Sequence, residues 1–336
     1  MKVTCSGCGR SYNVDDEKIP EGRRIETPCP GCKTPIVVVK RGVDAQCKEA
    51  AHGLPDHGEA LLRKIVRESR ALPPMPEVMG RAITVLADET CGFNEIGEVI
   101  KTDQALATRV LKIANSAYYS LSVPVSTVKQ AAAIMGCQAI SDLITVVSTS
   151  KMLGKNLSGY RLSSRQIWEH SLACAYTSRL IAEAKAPSLA NDAFNAGLIH
   201  DSGLLMLDPF IGMLKPAFDE AMKQDGTTFC DAEKELFGFT HAEVAGLFFQ
   251  KWNLPKVQTE AIRFQHTPEE GNSPLAHIIH VADVIAMGIM ESPDPTGAHS
   301  RTNPVSVQEL ALSPEEMEEI GARAKGAVAS VTQSLD

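Results

Sequence analysis

From Glu59 onward apolar side chains return every three or four residues, the repeat of helices that turn one face to a core. Leu61, Leu62, Ile65 and Val66 form one stripe, Ile96, Val99 and Ile100 a second, and Leu106, Val110, Ile113 and Ala114 a third. Helix starts are written into the chain as well. Ser163-x-x-Gln166, Thr240-x-x-Glu243 and Ser313-Pro314-x-Glu316 set a hydroxyl three residues before a side chain that can return a hydrogen bond to the cap, and Pro314 suits a first helical position. Nothing in this part alternates as a strand would. The pattern predicts a mainly all-α body of about 280 residues, enough for one large core or two packed lobes.

The first forty residues follow other rules. Val3-Thr4 and Ile36-Val37-Val38-Val39 read as short strands, and Cys5, Cys8, Cys29 and Cys32 are spaced C-x2-C, twenty residues, C-x2-C. Two such knuckles deliver the four thiolates of a tetrahedral zinc site, with Ser, Gly and Pro where the backbone must wrap the ion. So few apolar residues cannot hold a fold by burial, so the metal would have to. Two redox pairs or disulfides are the alternative; a redox motif needs one C-x2-C beside a βαβ pattern, which favours structural zinc. The expectation is a small β-rich zinc ribbon over 1–40 and a linker over 41–58, where Gly42, Gly53, Pro55 and Gly58 interrupt polar residues. At the other end, residues 291–336 read as a Pro-rich polar loop to about 306 and a last acidic helix.

The five remaining cysteines are scattered singly, as small buried thiols are in a reducing compartment. The N-terminus has no apolar signal region, and the longest apolar run, Ile278–Met290, is broken by His280 and Asp283. A cytoplasmic protein without a membrane partner is expected. Residues 1–40 carry seven Lys/Arg against five Asp/Glu, a net +2, which leaves −10 for the rest of a chain whose total is −8. An acidic body repels phosphates, so nucleic acid is not an expected partner, and Arg23, Arg24 and Lys33 read as a solvated face.

One constellation could carry chemistry. His200-Asp201 lies in the apolar stretch Asn195–Leu205, read as a helix ending at Gly203. Neighbouring helical residues point about 100° apart, so the pair could clasp an ion beside the helix. Burying two titratable groups there is costly without a partner. His170 and Asp283 lie in separate predicted helices and could complete the shell; His241 and His266 are further candidates. Such N/O donors suit Fe, Mn, Zn, Ni or Co. A lone helical His is more often a hydrogen-bonded core residue, and a single His-Asp pair is common by chance; the order across four helices carries the signal. Among other residues, Asn115-Ser116 reads as a helix end or an interlobe hydrogen-bond pair, and Trp168 and Trp252 as core anchors. His277 and His280 read as helix surface, with His280 a partner to Asp283 as the alternative.

Several segments in order resemble the HDOD domain of the HD superfamily: Leu72-Pro-Pro-Met-Pro76, Thr102-Asp103-Gln-Ala-Leu106, Ala114-Asn115-Ser116, Trp168-x-His170-Ser171, Gly197-Leu-Ile-His200-Asp201-x-Gly203, Thr240-His241, His266-Thr-Pro268 and Val281-Ala-Asp283. The likeness covers residues 60 to about 290. It implies a helical N-terminal lobe over about 59–155 packed on an HD-like lobe over about 156–290, with His170, His200, Asp201 and Asp283 matching the core ligands of the superfamily. His241 and His266 match the extra histidines of multi-metal members such as the HD-GYP phosphodiesterases. Two departures stand out. Leu204 replaces the lysine that follows HD-x-G in those enzymes, and Gln265-His266 replaces a histidine pair. The four-cysteine segment is similar to zinc ribbons at the front of bacterial regulatory proteins. The implied function is a signal-transduction module acting on signalling proteins, with zinc in the ribbon and iron, manganese or another divalent ion in the HD-like site. Helical modules of this kind often form homodimers. The alternative is a metal-dependent phosphohydrolase acting on a nucleotide or cyclic dinucleotide.

Overall fold

The structure is a computed structural model that describes residues 2–4, 11–13, 24–29, 31–32, 35–39, 58–68, 103–116, 119, 121–224, 226–271, 273–290 and 303–335. Cys5, Cys8, the stripe Ile96–Ile100, linker residues 41–57 and loop residues 291–302 lie outside them. The chain divides into two compact units, Met1–Asp56 and His57–Asp336.

In the first unit, β1 (Lys2–Thr4) pairs antiparallel with β2 (Ser11–Asn13), and β3 (Arg24–Pro28) with β4 (Pro35–Val39). Tyr12 stands opposite Val3 and Val38 opposite Ile25. Cys29 follows β3 directly and is buried, while Cys32, in the connection to β4, is exposed. The Gly31 N–H donates to Cys29 Sγ at 3.4 Å, which turns the backbone around the sulfur.

The second unit is helical. Helix α1 (Gly58–Glu68) begins at the last residue of the expected linker and buries Leu61, Leu62 and Ile65. Helix α2 (Gln104–Ala114) starts where the Asp103 carboxylate accepts the Leu106 N–H at 2.9 Å, and buries its predicted stripe Leu106, Val110, Ile113 and Ala114. It ends at Asn115, whose amide donates to the Val125 carbonyl at 2.9 Å and accepts the Val125 N–H at 2.8 Å. Asn115 is thus a helix end that also pins the following loop. Gly136, at φ +87°, separates α3 (Val128–Met135) from α4 (Cys137–Met152).

Helix α5 (Ser164–Lys185) opens with the predicted Ser163–Gln166 capping box and forms the centre of the unit. Against it pack α6 (Ala190–Ile199), α13 (Pro274–Ile289) and α15 (Pro314–Leu335). A Cβ at Gly197 would stand 2.8 Å from Ser178 Oγ and 3.0 Å from the Cys174 carbonyl, so only glycine lets α6 cross α5 at this depth. Arg179 of α5 holds Asp142 of α4 with both guanidinium nitrogens, one at 3.0 Å, and lies 4.1 Å above the Phe194 ring. The remaining helices are α7 (Ser202–Met213), α8 (Lys215–Ala221), α9 (Phe229–Phe237), α10 (His241–Lys251), α11 (Lys256–Arg263), α12 (Pro268–Gly271) and α14 (Pro304–Glu309). Helix α15 also packs on α2, so the last helix touches both halves of the body. Its start shows the third predicted capping box: Ser313 N–H donates to Glu316 at 2.8 Å and Glu316 N–H to Ser313 Oγ at 3.2 Å.

Two readings need correction. The expected loop to residue 306 gives way to helix at Pro304, because Asn303 caps it by accepting the Val305 N–H. Trp168 is buried as expected, but Trp252 is half-buried at the end of α10, tilted against Phe248 at 4.5 Å.

Candidate metal centre

The His-Asp pair is not inside a helix. Helix α6 ends at Ile199, His200 and Asp201 form the turn, and α7 starts at Ser202. Both residues keep backbone angles near the helical region, which hides the break from a sequence pattern. Gly203 does not end a helix either. It lies in the first turn of α7, where a Cβ would overlap the His241 carbonyl oxygen and stand 2.7 Å from its carbon. The turn is therefore pressed against the start of α10, and His241, its first residue, reaches the same place.

All six residues expected from the sequence converge there. His170 Nε2, from α5, lies 2.9 Å from Asp283 Oδ1 of α13 and 3.5 Å from Asp201 Oδ2. His200 Nε2 lies 3.2 Å from Asp201 Oδ1 and 3.6 Å from Asp283 Oδ1. His241 Nε2 is 3.5 Å from Asp201 Oδ1, and His266 Nε2 is 3.0 Å from His241 Nε2. Asp201 thus stands between two groups of imidazoles, one oxygen toward His170 and the other toward His241.

The surroundings fix the rings. The Gly197 carbonyl accepts from His200 Nδ1 at 2.8 Å, which aims Nε2 at the cluster. Glu233, fully buried on α9, does the same for His241: its carboxylate accepts from Nδ1 at 2.9–3.0 Å and from the His241 backbone N–H at 2.7 Å. Glu233 is in turn held by the Tyr160 hydroxyl at 2.6 Å. A carboxylate behind a histidine is the usual support of a metal ligand. His280, read from sequence as helix surface, is buried. Its Nδ1 donates to the Gln265 carbonyl at 2.8 Å and its Nε2 accepts the Asn303 N–H at 3.0 Å, because α13 is packed on several sides. Gln265 turns inward, its amide 3.3 Å from the His200 carbonyl and 3.4 Å from Asp201 Oδ1.

The charges are strongly interdependent. Burial opposes a charge on His200, but the Asp201 carboxylate outweighs it and holds the imidazole well above its ordinary value. Asp201, despite its own burial, is held well below the carboxylate range by His200, and Asp283, also against its burial, by the adjacent His170 and His200 imidazoles. His241 is likewise buried and raised, by Glu233. His266 is pushed the other way, to about 3, by burial and the positive His241 beside it. Burial pushes the Cys230 thiol, 4.0 Å from His241 Nδ1, up to about 11.

The donors fit a divalent transition ion. Ring nitrogens of His170 and His200 and a carboxylate oxygen of Asp201 lie within 4.8 Å of one another. Among the described residues, the buried His200 Nε2 and Asp283 Oδ1 find no hydrogen-bond partner, as expected of ligand atoms aimed at a shared cation. A second group, Cys230, His241 and His266, meets the same distance limit. Beside it opens a cleft of about 310 Å³ whose lining includes Cys230, Lys234, Thr240, Arg263, His266 and His280. Sequence reasoning missed Cys230, Glu233 and Tyr160. One signal was present: Glu233 is four residues from both Phe229 and Phe237, on the apolar stripe of α9, where a carboxylate needs a buried partner. Of the ribbon cysteines, Cys29 and Cys32 sit at the β3–β4 turn, while Cys5 and Cys8 lie outside the described residues.

The HDOD domain family matches residues 72–268, more than half the chain, and the protein belongs to it. A zinc-ribbon domain matches residues 1–37. A curated relative, an uncharacterised protein of Treponema pallidum, is 22% identical over 204 residues, 59% of this chain but only 39% of that one. Among solved structures, a candidate phosphohydrolase from Shewanella amazonensis is 23% identical, with a TM-score of 0.62 over 82% of this chain and 98% of that one. A candidate signal-transduction protein from Marinobacter aquaeolei is 19% identical, with a TM-score of 0.60 over 91% of this chain and 70% of that one. At such identities these two establish a shared fold. Among the described residues no helix is long and apolar enough to cross a membrane.

Proposed function

We propose that this protein is a signal-transduction module in which the helical body carries a divalent-metal centre that supports contacts with signalling proteins, and the N-terminal segment is a structural zinc ribbon held by Cys5, Cys8, Cys29 and Cys32. The observation that carries this reading is the contrast inside the cluster. His170, His200, Asp201 and Asp283 are together and braced, while the groups that would grip a phosphate are replaced. Leu204 is buried, and Gln265 spends its amide on His200 and Asp201 rather than on a ligand. When bound, an ion here would supply Lewis acidity and a point of charge that holds α5, the α6–α7 turn and α13 in one arrangement. The chain's own residues do the rest: Glu233 and the Gly197 carbonyl orient the rings, and Asp201 joins the two imidazole groups. Elemental analysis of the full chain against His200→Ala and Asp201→Ala variants tests the reading. A body-bound ion should disappear in both while the ribbon zinc stays; equal metal content in all three would sink it.

A hydrolytic reading is favoured by one observation, the cleft that reaches His266 and is flanked by Lys234 and Arg263. A small phosphate ester could approach the cluster by that route. Metal-loaded protein incubated with a panel of nucleotides and cyclic dinucleotides decides between the readings: turnover abolished by Asp201→Ala favours the enzyme, and an untouched panel favours the module.

A further inference from the structure

Away from the metal cluster, two arginines border one cleft where α2, α5 and α15 come together. Arg109 lies on α2 outside its apolar stripe, and Ser164 and Arg165 open α5 directly after the Ser163 cap. Helix α15 packs on both helices, and its Thr332 reaches the same space. The cleft holds about 300 Å³, and its lining includes Arg109, Ser164, Arg165, Trp168 and Thr332. Among the described residues no carboxylate lines it, although the chain carries a net charge of −8. Arg165 Nε donates to Glu169 Oε1 at 2.8 Å, whereas Arg109 has no ion-pair partner among the described residues. Two further donors lack an acceptor. Thr332 Oγ1 is buried and makes no hydrogen bond, although Ser334, two residues on, donates to the carbonyl four residues back as helical hydroxyls do. Trp168 is 8% exposed, and among the described residues its indole N–H has no acceptor. A solvated face accounts for the two arginines alone. It leaves the Thr332 hydroxyl and the Trp168 N–H unpaired, which buried polar groups avoid.

We propose that this cleft binds a small phosphate-bearing anion. Guanidinium, hydroxyl and indole donors together match the acceptor oxygens of a phosphate monoester, which carries nearly two negative charges at neutral pH. A carboxylate, with two oxygens and a single charge, would leave donors unmatched. The organic part of such a ligand has room as well. A wider cleft of about 590 Å³ shares Arg165 and Thr332 in its lining and adds Lys325 beside the apolar Ile289, Met290 and Val328. The ligand class is therefore a phosphate monoester with a compact, partly apolar body. Bound there, it would tie α2 to α5 and α15. None of the six residues of the metal cluster lines either cleft, so the site stands independently of the metal-centre reading.

The test titrates the full-length chain with phenylphosphonate, and with inorganic phosphate beside it. Phenylphosphonate has the charge and oxygens of a phosphate monoester, a ring for the wider cleft and no ester bond to hydrolyse. Calorimetry should show saturable binding, tighter for phenylphosphonate than for phosphate, and the bound anion should raise the melting temperature. Arg109→Gln removes a charge-assisted contact and should weaken binding about 10-fold or more. Thr332→Val should weaken it by a smaller factor, Arg109→Lys should recover part of the affinity, and Asp201→Ala should keep the site. Circular dichroism checks that each variant folds. No saturable binding, or equal binding by the parent, Arg109→Gln and Arg165→Gln, overturns the site. Binding lost in Asp201→Ala but kept in Arg109→Gln places the anion at the metal centre and overturns it equally. Binding of a polyglutamate peptide but of neither phosphorus probe would make the cleft a docking point for an acidic protein segment and overturn the small-anion assignment.

Discussion

Gly203 and His241 are in backbone contact so close that a methyl group on Gly203 would overlap the His241 carbonyl. The glycine of the His-Asp-x-Gly segment is there because α10 must start against the first turn of α7. Gly203→Ala has to separate them, and His241 would move away from Asp201. Overpacking of this kind costs about 1–3 kcal/mol or more. The expected outcome is a lower melting temperature together with weaker metal retention. A variant as stable and metal-rich as the parent would refute the packing argument.

Glu233 and Tyr160 should matter without touching an ion. Glu233→Gln keeps the shape but offers one acceptor oxygen where the carboxylate offers two, to three donors: the Tyr160 hydroxyl, His241 Nδ1 and the His241 backbone. Loss of such support weakens metal affinity about 10- to 100-fold in comparable sites. Tyr160→Phe removes one hydrogen bond to a buried charge, about 1.5–3 kcal/mol. Calorimetric titration with Zn²⁺ beside thermal melts separates the effects: Glu233→Gln should be felt mainly in affinity, Tyr160→Phe mainly in stability.

Asp142 and Arg179 join α4 to α5 largely out of water, with 5% and 17% side-chain exposure. Asp142→Ala leaves Arg179 buried and unpaired, at a cost of about 3–5 kcal/mol. Replacing both, as Asp142→Leu with Arg179→Met, should recover much of that loss in denaturant titrations. Equal losses in the single and double variants would show that the pair contributes through shape rather than charge.

His277 gives the C-terminal segment a pH dependence. Its Nδ1 is 2.9 Å from Ser306 Oγ of α14, and burial lowers its proton affinity below the ordinary value. The folded form therefore binds fewer protons than the unfolded chain, whose histidine titrates near 6.5. The docking is complete above about pH 6.5 and weakens as pH falls through the unfolded value. Hydrogen exchange of the α14 amides between about pH 5 and 7.5 should show this in the parent and lose the His277 contribution in His277→Gln.

For the ribbon, Cys29→Ala should unfold residues 1–40 and leave the helical signal of the body nearly intact, since a small metal-held unit loses its fold with its ion. Global unfolding would mean that the two units depend on each other.

Much of this architecture was legible. The stripes of α1 and α2 and the boxes at Ser163, Thr240 and Ser313 are local rules that tertiary packing did not override. His170, His200, Asp201, His241, His266 and Asp283 stood out as titratable groups in apolar helices, but the family resemblance was needed to match them to one site, because no spacing rule links residues from five segments. The His-Asp turn was misread because its backbone angles are nearly helical, and Gly203 because a glycine after an apolar run looks like a helix stop. Cys230, Glu233 and Tyr160 were invisible as a group, since their relation exists only once α9 lies beside the start of α10.

The imidazole of His280 has one end on the carbonyl before His266 and the other on the amide that precedes α14. The start of α14 is thereby coupled through the His280 ring to the backbone beside His266, alongside the His277–Ser306 contact. Fusions after Leu335 should be harmless, whereas cutting the chain ahead of Asn303 would loosen the floor beneath His266. A protein that binds or displaces the C-terminal helices would have a direct mechanical handle on the ligand shell.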